Sequence, residues 1–280
     1  MNGMDVVVDG LTFPEAPRWR DGKLWFSDFY SHRVLTVDLA GKVETVADVP
    51  QRPSGLGWTP DGHLLVVSML DRRLLIFDGV RSRVVADLSA LATGPCNDMV
   101  VDAAGRAYVG NFGFDRHRGE PPRTTCIARV DPDGRVVRAA DDLHFPNGTV
   151  ITPDGKTLIV GETLAHRLTA FAIDATGELS NRRLFAQLDG CFPDGICLDA
   201  EGAVWVADAR NPRVIRVFDG GRIDRTISTG ERCAFACMLG GPDRRTLFVC
   251  TNTGSGPAMA DKTDGRIEAI RVDVPGAGWP

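Results

Sequence analysis

The sequence predicts an all-β chain folded as a six-bladed β-propeller, with four antiparallel strands per blade. Three observations predict it. One motif recurs six times along 280 residues, with its third position at 15, 54, 97, 147, 194 and 236. The steps of 39, 43, 50, 47 and 42 residues are the length of a four-stranded blade. Most copies carry an Asp-Gly or related glycine turn between two short apolar runs, and glycine supplies the positive φ that a tight hairpin needs. No long segment with a 3.6-residue period competes; only residues 87–92 could hold a helical turn.

The elements follow in order. Phe13-Pro-Glu-Ala-Pro-Arg-Trp19 reads as the first strand of blade one, and Lys23–Asp28, beyond the Asp21-Gly22 turn, as its second. Arg33–Asp38 and Val43–Asp48 supply the third and fourth strands. The pattern repeats from Arg52-Pro-Ser-Gly, Pro95-Cys-Asn-Asp, Phe145-Pro-Asn-Gly, Phe192-Pro-Asp-Gly and Ala234-Phe-Ala-Cys. The sixth unit has only three strands and ends at Arg266–Asp273. Met4–Val8 is therefore expected to pair with Arg266–Val272, closing the ring and removing an open sheet edge. The whole chain, 1–280, reads as a single domain.

Composition bounds the function. With 32 basic and 37 acidic residues the net charge is −5, so no basic excess exists to displace counterions from nucleic acid. No apolar run approaches a membrane span, and Met1–Asp9 lacks the basic and apolar regions of a signal peptide. Seven cysteines, an odd number without a CxxC pair, predict reduced buried thiols and a cytoplasmic protein. The partner expected is a small molecule.

Strand parity places the chemistry. The first strand of each blade is innermost, so the third motif residues converge on the axis at one mouth. They are Glu15, Ser54, Asn97, Asn147, Asp194 and Ala236. Two carboxylates aimed at one point repel unless a cation lies between them. Glu, Asp and Asn offer oxygen donors, which suit a hard divalent ion: Ca²⁺ first, then Mg²⁺ or Mn²⁺, with Zn²⁺ also open. Hydrogen-bonded polar ends of a solvated channel are the other reading. The second-to-third-strand turn lies at the same mouth. It is short in four blades and expanded in blades three and six, at 112–125 and 252–265, as a lid would be.

The motifs around Glu15, Asn147 and Asp194 resemble those of the regucalcin/gluconolactonase/luciferin-regenerating-enzyme family over essentially the whole chain. The resemblance implies a six-bladed propeller with one divalent ion in its mouth. It matches Glu15, Asn147 and Asp194 to metal ligands, Asn97 to a substrate contact, and Asp194 also to the general base. Animal gluconolactonases carry a basic residue two positions before the equivalent of Asn97; here that residue is Pro95. The implied activity is a metal-dependent hydrolase opening a cyclic ester with a metal-activated water. Two alternatives stay open: another reaction at the same site, such as phosphoester or organophosphate hydrolysis or a biosynthetic ring-opening or isomerisation, and a non-catalytic calcium-binding or interaction propeller.

Other residues read more simply. No Gly-x-Ser-x-Gly elbow and no His-Glu-x-x-His helix occurs. Ser54 is a small polar filler. His117, among Arg116, Arg118 and Arg123 of the blade-three lid, is a candidate substrate contact. His144 could approach the mouth, whereas His32 and His166 sit in solvent-facing turns and His63 lies on the surface. Asp28 and Asp208 are expected to bond hairpin backbone, and Trp19, Trp25, Trp58 and Trp205 to pack between blades.

Overall fold

Six four-stranded antiparallel sheets make up the molecule, in a computed structural model that describes residues 3–278. Their inner strands are Pro14–Arg20, Pro53–Trp58, Cys96–Val101, Pro146–Ile151, Pro193–Leu198 and Cys233–Gly240. Each inner strand touches the inner strand of the next blade, and the sixth touches the first, so the ring closes. In blades three, four and five every inner-strand residue is buried, while the outer strand Val43–Asp48 of blade one is largely exposed. That gradient is what a propeller dictates: apolar side chains fill the space between blades and near the axis, and the rim meets water.

Closure occurs as expected, with a longer strand than the sequence suggested. Asp5–Leu11 pairs antiparallel with Gly265–Arg271, with Asp5 opposite Ala269 and Leu11 opposite Gly265. The predicted packing tryptophans also join blades. Trp25 meets Trp58 edge-on at 5.5 Å, and Trp19 stacks on Phe248 at 5.6 Å. All seven cysteines are unpaired, and six of them are buried. Among the described residues no helix is long and apolar enough to cross a membrane.

Two devices bring the inner strands together at the mouth. First, all six have a register shift against their second strand near the third motif position, for example between Pro146 and Thr149 and between Pro193 and Ile196. Bulges of this kind re-aim a side chain. Second, the residue after Asn147 and Asp194 is glycine. A Cβ on Gly148 would lie 2.5 Å from the carbonyl oxygen of Asp194, and one on Gly195 would lie 2.5 Å from the Cβ of Ala236. Any side chain there would push neighbouring blades apart.

Candidate active site

Glu15, Asn97, Asn147 and Asp194 line one cavity of about 290 Å³ at the mouth. All four are buried, with no more than 8% of their surface exposed. The other two ring positions stay out of it. Ser54 is buried and its carbonyl accepts the Ser27 hydroxyl at 2.6 Å, in keeping with a filler role, and Ala236 packs against Gly195.

Local hydrogen bonds hold the four side chains. The amide of Ala16, itself at a positive φ of 48°, donates to Glu15 Oε2 at 3.0 Å. Asn147 Nδ2 donates to Thr163 Oγ1 at 3.2 Å, and Thr163 Oγ1 donates to the carbonyl of Pro193 at 2.6 Å. Asn97 Nδ2 donates to the carbonyl of Pro146 at 3.3 Å. Both amides thus turn a nitrogen toward protein acceptors.

The electrostatics are unusual for buried acids. Burial raises the pKa of Glu15 well above the ordinary carboxylate value, and the charge of Asp194 raises it further. Asp194 is raised by burial and then by Asp98, against a smaller opposing pull from Arg116 and Asn147. One cation is buried near this group, and it is already engaged. Arg18 is 2% exposed; its Nη2 meets Asp98 Oδ1 at 2.7 Å and the Met99 carbonyl at 2.7 Å, while Nε donates to the Leu56 carbonyl at 3.2 Å. The sequence reading missed this pair, because its partners lie on inner strands 80 residues apart.

Among the described residues no three His, Cys, Asp or Glu side chains gather as a metal-holding group. The ring presents two carboxylates and two amides instead. Such a donor set fits a hard divalent ion, because two buried carboxylates without a cation of their own favour holding a proton or a metal.

The cavity walls are aromatic. Phe13, Phe145 and Phe192 come from the position two residues before the polar ring, Phe112 and Phe114 from the blade-three lid, and Phe29 and Phe235 from blades one and six. Phe112 stacks on Phe145 at 4.4 Å, and Phe13 lies 4.7 Å from Phe235. Both expanded loops reach the cavity, blade three through Phe114, Arg116 and Pro122 and blade six through Ser255 and Gly256. Three arginines also line it: Arg52, Arg116 and Arg210, the last lying over Phe192 at 4.8 Å. The phenylalanines were legible at a fixed offset in the repeat, had the position before each Pro been aligned.

Several expectations require correction. Arg118 and Arg123 do not serve the cavity: Arg118 pairs with Asp115 at 3.4 Å, and Arg123 with Glu120 at 3.1 Å and the Gly113 carbonyl. The side chain of His117 lies outside the described residues. His144 is exposed and does not line the cavity; its backbone amide donates to Glu162 Oε2. His32 and His166 are half-buried rather than solvent-facing. Each holds a positive φ in its turn, 59° and 54°, as Arg72 does in blade two at 54°, and His166 Nδ1 lies 2.6 Å from the Cys191 carbonyl. His63 lies at the surface as expected, its side chain 43% exposed and 3.3 Å from Asp61. Asp28 and Asp208 bond backbone amides as expected, Asp28 that of Phe13 at 2.7 Å and Asp208 that of Phe192 at 3.1 Å, and Asp208 also pairs with Arg213.

Comparison with known proteins gives a consistent picture. Residues 13–253 match the family described as SMP-30/Gluconolactonase/LRE-like region. A 6-deoxy-6-sulfogluconolactonase of Pseudomonas putida is 27% identical over 98% of this chain and 96% of its own length. Regucalcin of Danio rerio is 32% identical over 87% of this chain and 84% of its own. The solved structure of a calcium-binding protein, regucalcin, from Agrobacterium tumefaciens superposes with a TM-score of 0.83. It is 23% identical and covers 99% of this chain and 96% of that one.

Proposed function

From the premise that the chain belongs to the SMP-30/gluconolactonase/LRE-like family, we propose that it is a divalent-metal-dependent hydrolase, a lactonase that opens a cyclic ester with water. Residues 1–280 act as one propeller domain on a small-molecule substrate. Seven unpaired cysteines fit a reducing, cytoplasmic setting.

One observation carries the reading. Glu15 and Asp194 are buried and face the same cavity, burial and Asp194 favour the protonated form of Glu15, burial and Asp98 favour that of Asp194, and the buried guanidinium of Arg18 is committed to Asp98. We assign Glu15, Asn147 and Asp194 as the residues that would hold the ion. Ca²⁺ is the first candidate, since the Agrobacterium relative is a calcium-binding protein, and Mg²⁺, Mn²⁺ or Zn²⁺ suit the same oxygens. A bound divalent ion would supply Lewis acidity toward a lactone carbonyl and lower the pKa of a nearby water.

The chain's own residues divide the remaining work. Asp194 takes the proton of the attacking water, a task open to a carboxylate that faces the cavity. Glu15 contributes charge that the amides cannot. Asn97 lines the cavity without being needed as a ligand, so it positions the substrate by hydrogen bonding.

The test is Asp194→Asn, with metal content and lactone turnover measured on the same samples. The amide keeps an oxygen of similar shape, so the ion is expected to stay while the rate falls by about 10² to 10⁴. Retention of both full metal and full activity would overturn the mechanism.

A further inference from the structure

We propose that the substrate is a lactone carrying a flat aromatic ring and a carboxylate, with the ring held between the phenylalanines and the carboxylate held by Arg52. This rests on the lactonase reading above and adds the substrate class to it.

The first argument is what the cavity lacks. A sugar lactone presents several hydroxyls, and each one desolvated without a partner costs about 1–3 kcal/mol. Beyond the four ring residues, the neutral hydrogen-bonding side chains lining the cavity are Tyr30, Thr163 and Ser255. Thr163 already donates to the Pro193 carbonyl and accepts from Asn147. The walls are otherwise dominated by phenylalanine, and the Phe112–Phe145 stack, tilted by only 19°, presents aromatic faces and edges suited to a planar ring.

The second argument is Arg52. The positions two residues before the polar ring are Phe13, Arg52, Pro95, Phe145, Phe192 and Ala234. Arg52 is the one cation in that set, and it lines the cavity. Its guanidinium lies 4.6 Å over the Tyr30 ring, and its Nε is buried without a hydrogen-bond partner. No carboxylate pairs with it among the described residues. Its backbone is also held at a positive φ of 72°, so the turn fixes where the side chain starts. A half-buried guanidinium beside an aromatic cavity, with donors unspent, fits a bidentate carboxylate on an apolar ligand. Arg116 reinforces the sign of the field, since its charge is felt at both Tyr30 and Asp194.

The chemistry balances without a further reactant. Water adds to the lactone carbonyl as Asp194 takes its proton, the acyl C–O bond of the ring breaks, and Asp194 returns that proton to the departing ring oxygen, giving a hydroxy acid.

The experiment compares three probes on the divalent-loaded full chain: glucono-δ-lactone, γ-phenyl-γ-butyrolactone and its para-carboxylate. The expected order of kcat/KM is carboxylated aryl lactone over uncharged aryl lactone over the sugar lactone, with at least about tenfold between the extremes. In Arg52→Gln, KM for the carboxylated probe should rise about 10- to 100-fold, and the change for the uncharged aryl probe should be at least tenfold smaller. That within-variant ratio separates recognition from misfolding. Glucono-δ-lactone turned over as well as the aryl probes would overturn this inference and leave the lactonase reading standing. Equal effects of Arg52→Gln on both aryl probes would overturn the carboxylate contact. Turnover of no lactone at all would overturn both readings.

Discussion

Glu15 and Glu162 are the same side chain, buried in the same propeller, on opposite sides of an electrostatic divide. Glu162 is fully buried, yet it ends below the ordinary carboxylate pKa. Burial alone would raise it, but Arg167 at 2.8 Å, Thr169 at 2.5 Å and the His144 amide at 2.8 Å outweigh the desolvation. Arg182 adds a second guanidinium at 3.2 Å. Glu15 has one backbone amide and a neighbouring carboxylate, and it ends well above that value. The difference teaches that this chain can neutralise a buried acid and does so where the acid only staples a hairpin. At the mouth it leaves the charge for something outside the chain to neutralise.

The comparison can be broken most forcefully at Arg18. Asp98 is buried beside the ring residue Asn97, outside the cavity lining, and is paired with Arg18 from within, so Arg18→Met should strand it. Breaking a buried pair this way costs about 3–5 kcal/mol, read as a lower midpoint in urea unfolding. An unchanged midpoint would mean that Asp98 does not depend on Arg18.

Glu162→Gln should cost less, about 1–3 kcal/mol at pH 7, because the amide keeps the shape and loses charge-assisted bonds to two arginines. The pH dependence follows from the direction of the shift. A lowered folded-state pKa gives stability that is present above the unfolded value of about 4.3 and is lost as pH falls through the folded one. The gap between wild type and variant should therefore be full at pH 7 and narrow below about pH 4. A gap that widens in acid would contradict the assignment.

The smallest effect should be the most telling. In metal-free protein, Glu15→Gln removes one of two facing charges, so the melting temperature should hold or rise by a few degrees, where 1 kcal/mol corresponds to about 2–4 °C. Adding Ca²⁺ should raise the melting temperature of wild type and leave that of Glu15→Gln much less changed. A variant less stable than wild type without metal, yet equally stabilised by Ca²⁺, would erase the distinction between Glu15 and Glu162.

Much of this architecture was legible in the chain because the repeat is written in backbone chemistry. Glycine turns and motif spacing imply blades, and register within a blade implies which residue faces the axis; Glu15, Asn97, Asn147 and Asp194 were brought together by that argument. What stayed hidden depends on contacts between blades or on loop conformation. Arg18 and Asp98 meet across blades one and three, a relation no local pattern encodes. In the expanded blade-three loop Arg116 lines the cavity while Arg118 pairs with Asp115, a division that depends on loop conformation and not on any local sequence pattern. Arg52 was hidden for a different reason: it stands where other copies of the motif have Phe, Pro or Ala, and a reading centred on the polar ring passed over its neighbour.

The pairing of Asp5–Leu11 with Gly265–Arg271 also governs when the molecule can become whole. The other five sheets are each assembled from one continuous stretch of chain, so they can form locally as synthesis proceeds. The sixth sheet waits with its outer strand made first and its three remaining strands made last. Until residues 265–271 exist, 5–11 has no partner in the sheet and the ring stays open between its first and last blades. Joining segments some 250 residues apart is a slow, non-local event, although each doubling of the loop adds only about 0.6 kcal/mol to its cost. The joint is therefore the natural last step of assembly, and in a finished molecule the natural first point of opening under heat or mechanical load.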